Sequence, residues 1–219
     1  MPGSVVADIG TDHVRLPVYL IRSGRCPRVI ASELNEKPFE QARFRVRLYD
    51  LEDKIEVRRG DGLKVLSPGE AQEVVVAGMG GNTIKQLLVA APEVLNRLDR
   101  LVLQPAVDAG DLRLWLADNG WQLVDETLVE EKGRLYVALA TEAGRETTRD
   151  RLLVEIGPRL VEKNDPLLIR YLEKLKEEYQ RILSRLARSR SPAAREKAIE
   201  VTARLAKVRE VLIKNGGRL

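Results

Sequence analysis

The chain has 219 residues, 44% of them hydrophobic and 32% charged, and its formal net charge is +4 at pH 7. This composition excludes a disordered chain, and no stretch of 18 apolar residues is available to cross a membrane. A single cysteine, Cys26, excludes an internal disulfide and fits a reducing cytoplasm, and with only one histidine a four-ligand zinc site is not expected. The N-terminus lacks the basic and apolar regions of a signal peptide. These properties predict a globular cytoplasmic protein without a metal ion.

The charge is unevenly distributed along the chain. Residues 1–144 hold 18 Lys and Arg against 22 Asp and Glu, whereas residues 145–219 hold 19 against 11. We therefore predict an acidic domain over 1–144 and a basic domain over 145–219. Such an asymmetry suits a polyanionic partner, although the solvated surface of a helical segment accounts for it equally well.

The first two-thirds of the chain alternates β-branched runs with amphipathic segments. Strands are predicted at 5–9, 28–32, 54–59, 73–77, 100–104, 121–128 and 135–141. Helices are predicted at 16–23, 37–49, 83–91 and 111–119. Five β-α repeats closed by a hairpin indicate an α/β fold: a mostly parallel sheet, an antiparallel final strand and helices on both faces.

The pattern changes after Gly144. Apolar residues recur at steps of 4 and 3 from Leu168 to Leu186 and again from Val201 to Leu212, with a break at Ser191-Pro192. Neither stripe can be buried by one helix alone, so the pattern predicts an α-helical coiled-coil hairpin. The same seam is also compatible with dimerisation, and we expect a monomer or a weak homodimer.

The loop after the first strand carries the first chemical signal. It holds Gly10 between Asp8 and Asp12, whereas a dinucleotide site would need three glycines to cradle a pyrophosphate. Carboxylates would repel a pyrophosphate, but they suit the sulfonium and ammonium groups of S-adenosylmethionine. The sign of the charge therefore favours methyl transfer over hydride transfer.

Further signals follow the next four strands. Glu33 ends the second strand, where an acidic residue accepts hydrogen bonds from ribose hydroxyls, and Asp61 follows the third, placed to accept from an adenine amine. The glycine-rich loop at 77–82 ends the fourth strand and lets a flat substrate approach the backbone. Gln104-Pro105 ends the fifth strand and is expected at the rim of the same cleft.

Five motifs together resemble the bacterial tRNA (adenine-22-N1)-methyltransferase family. They are Val-Ala-Asp-Ile-Gly-Thr-Asp-His at 6–13, Gly-Asp-Gly-Leu at 60–63, Ala-Gly-Met-Gly-Gly at 77–81, Leu-Gln-Pro at 103–105, and Tyr136. The resemblance covers nearly the whole chain, including the helical hairpin. It implies a Rossmann-like class I methyltransferase fold, S-adenosylmethionine as donor, and N1 of an adenine in the tRNA D-arm as acceptor.

The resemblance also implies which residues form the site. The cofactor residues would be Asp8, Gly10, Thr11, Glu33, Leu34, Asp61, Gly62, Gly78, Met79 and Gly80. The substrate residues would be Gly81, Asn82, Gln104 and Pro105. The basic residues expected on tRNA phosphates are Arg181, Arg185, Arg188, Arg190, Arg195, Lys197, Arg204 and Lys207.

Three residues are the candidates for catalysis. Asp12 would stabilise the cationic product or accept a proton from the N6 amine, the alternative being an N-cap of the following helix. His13 would orient Asp12 or stack on the base, and a structural hydrogen bond is an equal alternative. Tyr136 would stack on the target base, although an aromatic residue on a strand is more often part of the core.

The chain departs from the family pattern at three places. Family members usually have a helix before the first strand, often Asn at the position of Ala106, and often Ala-Tyr at the position of Val14-Arg15. A catalytically impaired cofactor- and RNA-binding protein is therefore one alternative function. A nicotinamide-dependent oxidoreductase is a second, less favoured because the loop lacks the phosphate-binding glycines.

Overall fold

The computed structural model describes residues 3–189 and 191–217. Its centre is one seven-stranded sheet with the strand order β3-β2-β1-β4-β5-β7-β6. The strands are β1 (Val6–Ile9), β2 (Val29–Glu33), β3 (Ile55–Arg59), β4 (Glu73–Met79), β5 (Arg100–Pro105), β6 (Trp121–Glu131) and β7 (Arg134–Ala143). The first five strands pair in parallel, and β7 runs antiparallel to both of its neighbours. The predicted sheet is confirmed.

The nine helices within the described residues surround this sheet and extend beyond it. They are α1 (Arg15–Arg22), α2 (Glu36–Leu48), α3 (Gly81–Val89), α4 (Pro92–Leu95), α5 (Ala109–Asp118), α6 (Arg151–Ile156), α7 (Pro158–Glu162), α8 (Leu168–Leu186) and α9 (Pro192–Lys214). A 3₁₀ turn at Gly62–Val65 follows β3. No helix of the described ranges is both long and apolar enough to span a bilayer.

The alternation of side chains along the strands divides the core into two layers. On one face of the sheet, Val6 packs in a cluster with Val18 of α1 and Val46 of α2. On the other face, Ile9 belongs to a larger cluster that includes Ile84 of α3 and Leu112 of α5. Helices therefore cover both faces, as predicted for a parallel sheet.

The hairpin between β6 and β7 is tighter than the predicted turn. The strands run on to Glu131 and from Arg134, which leaves only Lys132 and Gly133 between them. Both turn residues have positive φ, 49° and 77°. Two left-handed residues give the turn type whose twist matches that of the paired strands, which explains the longer strands.

The C-terminal helices pack on each other and on the sheet domain. Leu172 of α8 and Val208 of α9 are fully buried, and both belong to the core cluster that contains the β5 and α5 residues. Helix α9 begins nine residues before the predicted apolar stripe, because Ser191 caps the Ala194 N–H at 3.2 Å and Pro192 occupies the first turn. The predicted domain boundary after Gly144 stays a prediction.

Candidate active site

The loops that follow β1, β2 and β4 meet at one edge of the sheet. Strand β1 lies between β2 and β4, so the strand order reverses at this point. Because the carboxyl ends of parallel strands share an edge, the residues that follow these three strands are brought together. In open α/β sheets, ligands bind in the crevice at this switch point.

The loop after β1 is held by its backbone. The N–H groups of Gly10 and Thr11 donate to the carbonyl of Ser32 at 3.0 and 3.1 Å, and the Asp12 N–H donates to the Glu33 carboxylate. Gly10, Asp12 and Val14 all have positive φ, at 75°, 50° and 51°. A left-handed conformation is costly for a β-branched valine, and such strained residues concentrate at functional sites.

Asp12 does not cap the following helix. Helix α1 begins at Arg15, and its N-cap position belongs to Val14, which forms no side-chain cap. The capping alternative for Asp12 is therefore wrong. The Asp12 side chain is 74% exposed, and its Oδ2 lies 3.7 Å from Nε2 of His13.

Of the two buried carboxylates at this edge, Asp8 and Glu33, that of Asp8 is the less exposed. Only 5% of the residue is exposed, in the middle of the sheet. Burial raises the pKa of Asp8 from 3.8 to about 6; the neighbouring Thr11 hydroxyl opposes that rise and the negative charge of Glu33 adds to it. A cation that reached this edge would remove the unfavourable burial of negative charge.

The two acidic residues that follow β2 and β3 differ in their surroundings. Glu33 is 9% exposed and accepts the Asp12 backbone N–H through Oε1, while the next side chain, Leu34, is exposed. Asp61 is half-exposed and forms an ion pair with Lys64 at 2.6 Å. Gly62 after it has a φ of 57°. The roles of these residues toward ribose and adenine stay predictions.

The glycine-rich loop after β4 is anchored to the end of β5. Gly78 sits at an irregularity in the pairing of the two strands, and its N–H donates to Oε1 of Gln104 at 2.9 Å. Asn82 donates through its side chain to Asp108 at 3.5 Å. Gln104 therefore supports the end of β4, which runs to Met79 instead of the predicted Ala77, in addition to its predicted place at the rim with Pro105.

Close packing couples the loops after β1, β4 and β5. A Cβ atom on Gly10 would lie 2.5 Å from Cε of Met79, and one on Gly81 would lie 2.6 Å from the backbone oxygen of Asp108. By contrast, a Cβ on Gly80 would meet its nearest atom at 3.5 Å, and Gly78 has open space on that side. The glycine at 81 is thus required by backbone contact, while Gly78 leaves room for a ligand.

Of the other two catalytic candidates, His13 lies beside Asp12 in the loop after β1, and Tyr136 lies on β7. Nδ1 of His13 is buried without a hydrogen-bond partner in the described residues. Tyr136 is half-buried on β7, and the register with β5 places it at the same sheet edge as Pro105.

The predicted basic residues fall into two groups. Arg181 and Arg185 are exposed on α8, and Arg188 is exposed in the turn that follows this helix. Lys207 is only 16% exposed and pairs with Asp150 at 2.7 Å and Glu210 at 3.0 Å. Arg204 likewise pairs with acidic residues of α5, α6 and α9. Arg195 and Lys197 are exposed on α9, with Lys197 paired to Glu200, and Arg190 lies outside the described residues.

Sequence reasoning missed a buried polar cluster beneath the C-terminal helices. Arg113 is fully buried on α5 and donates to Glu126 of β6 at 2.6 Å, to the Glu155 carbonyl at 2.9 Å and to the Tyr171 hydroxyl at 3.3 Å. The attraction of Glu126 keeps the pKa of Arg113 above its usual value despite burial. The signal in the sequence is a lone charge inside the apolar run Leu112–Leu116.

Comparison with known proteins shows which family this chain belongs to. The model of the family described as tRNA (adenine(22)-N(1))-methyltransferase, TrmK, matches residues 6–210. The tRNA (adenine(22)-N(1))-methyltransferase of Bacillus subtilis is 38% identical over 79% of this chain and 75% of its own length. The crystal structure of B. subtilis TrmK has a TM-score of 0.88 at 32% identity and covers 96% of this chain and 93% of its own. A candidate tRNA (m1A22) methyltransferase from Streptococcus pneumoniae, in complex with S-adenosyl-L-methionine, has a TM-score of 0.83 at 31% identity over 96% and 92% of the two chains. The resemblance read from the motifs is confirmed, and this chain belongs to the tRNA (adenine(22)-N(1))-methyltransferase family.

Proposed function

We propose that this chain is a methyltransferase that uses S-adenosyl-L-methionine to methylate N1 of adenine 22 in the D-arm of tRNA. The observation that carries the proposal is the acidic edge at the switch point of a class I methyltransferase sheet, where Asp8 of β1, Glu33 at the end of β2 and Asp12 in the loop after β1 come together. Family membership supplies the target nucleotide. The nicotinamide alternative receives no support from this edge, because a pyrophosphate would face carboxylates.

The described residues fit the proposed cofactor. When bound, S-adenosyl-L-methionine supplies an electrophilic methyl group on a positively charged sulfur. Asp8 would stabilise a positive charge because its burial without a cation is unfavourable. The free second oxygen of the Glu33 carboxylate would hold ribose hydroxyls, and the exposed Leu34 side chain would pack on the adenine ring. The open side of Gly78 leaves space for the ligand.

We assign the following roles toward the target adenine. Its N1 atom has to leave its base pair to be reached, at a cost of a few kcal/mol. The exposed carboxylate of Asp12 would accept a hydrogen bond from the N6 amine and stabilise the positive charge that methylation places on the ring. His13, 3.7 Å from Asp12, would orient that carboxylate. Tyr136 would stack on the base from the β7 side.

For the C-terminal helices, we propose a basic coiled-coil hairpin that binds tRNA. Helices α8 and α9 pack along their apolar stripes, which leaves Arg181 and Arg185 exposed on α8 and Arg188 exposed just after it. These three arginines would contact phosphates, which makes binding depend on salt. Lys207 is left out of this set because two carboxylates already neutralise its charge. We further propose that the protein acts in the cytoplasm as a monomer or a weak homodimer.

The test is methylation of an unmodified tRNA transcript, followed by nucleoside analysis. We expect 1-methyladenosine with a transcript that carries adenine at position 22, and none when position 22 is guanine. Methylation of both transcripts to the same level would refute the target. For Asp12→Ala we expect a loss of turnover of about a hundredfold or more with unchanged cofactor affinity; near-normal turnover would remove Asp12 from the mechanism.

A further inference from the structure

A cavity of about 560 Å³ lies between the end of β5 and strand β7 on one side and the C-terminal helices on the other. Its size is within the range of small-molecule sites. None of the residues proposed to hold the cofactor lines it, whereas Pro105 and Tyr136, which we place beside the target adenine, do, so the cavity begins next to that base. Within the described chain, the cavity is formed jointly by the sheet domain and by α8 and α9.

The walls of the cavity would accept a flat ring. Leu135 and Val137 of β7 form one side, and Leu175 and Ile182 of α8 form the opposite side. Leu135 and Ile182 are partly exposed rather than sealed in the core. An apolar slot between two elements suits a planar group such as a nucleobase.

Polar groups at the cavity suit the edges and the phosphate of a nucleotide. Oε1 of Glu155 accepts from the Tyr179 hydroxyl at 2.9 Å and pairs with Arg204 at 3.1 Å, while Oε2 takes part in neither contact. A carboxylate oxygen of this kind accepts from an exocyclic amine or a ribose hydroxyl. Lys174 and Arg181 of α8 also line the cavity and are exposed, and the lining holds the exposed carboxylates of Asp108, Asp111 and Glu178 as well. A phosphate would therefore have to lie on the α8 side, beside the two basic groups.

The cavity adjoins the loops of the methyl-transfer edge. Its lining includes Ala106 and Val107. The Ala106 N–H donates to the carbonyl of Met79 at 2.8 Å, and the Val107 carbonyl accepts from the Gly81 N–H at 3.0 Å. A ligand in the cavity would therefore lie one short connection away from the loop expected to face the target adenine.

We infer that this cavity holds a second, unpaired nucleotide of the tRNA, adjacent to the methylated adenine. Its base packs between the β7 and α8 walls, its amine or hydroxyl groups bind Glu155, and its phosphate binds Lys174 and Arg181. The inference rests on the proposed function, because it places a neighbour of the target base. It gives the interface between sheet and helices a role in recognising RNA.

The first test measures the affinity of the protein for adenosine 5′-monophosphate. Saturating S-adenosylhomocysteine is present, so that the cofactor site is already occupied. We expect millimolar binding by the wild-type protein and binding weakened about tenfold in Ile182→Trp and Leu135→Trp, which fill the slot from opposite walls. Ile199→Trp is the matched control, since Ile199 is 74% exposed on α9 and does not line the cavity. Unchanged affinity for S-adenosylhomocysteine and an unchanged circular dichroism spectrum show that a variant is folded.

The second test measures methylation of tRNA by the same three variants. We expect the KM for tRNA to rise about tenfold in the two cavity variants and to stay unchanged in the control. Equal affinity for the nucleotide and equal KM in the wild type and both folded cavity variants would overturn the inference. If the wild-type protein methylates no tRNA, the proposed function fails, and the nucleotide binding still decides whether the cavity takes a nucleotide.

Discussion

The acidic edge of the sheet and the faces of α8 and α9 use polar residues in opposite ways. At the edge, the backbone sets the geometry: left-handed residues and N–H groups fix the loop, and the Asp12 carboxylate stays exposed. On the helices, side chains pair with one another, so that Arg204 and Lys207 are neutralised while Arg181 is exposed. A site whose geometry is set by the backbone can be recognised in the sequence as a motif. A network of side chains that come from distant parts of the chain can be recognised only in the folded structure.

The largest effect is expected from breaking the buried network around Arg113. The loss of stability would show how strongly the packing of the C-terminal helices depends on this network. For Arg113→Met we expect the free energy of unfolding to fall by about 3–5 kcal/mol, because Glu126 is left as a buried charge without its partner. Urea unfolding measures the change. Arg170→Met is the control, since its pair with Glu130 is largely exposed and contributes at most about 1 kcal/mol. Equal losses in both variants would contradict the structural role of Arg113.

The next largest effect is expected from disturbing the backbone contact between the loops that follow β4 and β5. Gly81→Ala places a Cβ atom against the Asp108 carbonyl, so the loops after β4 and β5 must move apart. We expect kcat/KM for tRNA to fall about a hundredfold, the scale of a 1 Å displacement of reacting groups. Gly69→Ala, whose Cβ would meet nothing within 4 Å and which lies before β4, at the other end of the strand, should stay within a fewfold of the wild type. Similar activity in the two variants would show that the contact at Gly81 is unimportant.

A smaller effect is expected from replacing Asp8, which should change stability and cofactor binding in opposite directions. Its pKa in the folded protein is about 6 against a usual 3.8, so the folded state binds more protons and loses stability as pH rises through this interval. Asp8→Asn should therefore raise the free energy of unfolding at pH 7 by about 2–3 kcal/mol, while weakening S-adenosyl-L-methionine binding about tenfold. Calorimetry from pH 5 to 8 should show wild-type affinity falling below about pH 6 and that of the variant staying flat. A parallel decline in both proteins would assign the pH dependence to another group.

The smallest effect concerns the helix faces. Replacing Arg181, Arg185 and Arg188 together by Ala should weaken tRNA binding and reduce the slope of log affinity against log salt by about 2, since each phosphate contact contributes about 0.7–0.9. Lys207→Ala should leave that slope unchanged, because its ammonium group already binds Asp150 and Glu210. A change of slope in Lys207→Ala alone would reverse this assignment.

The sequence predicted the sheet well because its signals are local. Short β-branched runs between amphipathic segments identify β1 to β5, and the seven strands agree with the structure to within a few residues. Helices α6 and α7 were not predicted, because they are short and depend on caps and on packing against α5 and β6. Likewise, the sequence could not divide the arginines into paired and free ones, since the partners of Arg204 lie on three different helices.

The buried guanidinium of Arg113 also has a consequence for synthesis on the ribosome. Its first partner, Glu126, follows it by 13 residues, but the Glu155 carbonyl and the Tyr171 hydroxyl follow by 42 and 58. When the growing chain has emerged from the ribosome only as far as Gly144, Arg113 therefore has only part of its hydrogen bonds, even though every strand has emerged. We expect the growing chain to resist proteolysis only after residue 171 has left the exit tunnel, so that the sheet reaches its final stability late in translation.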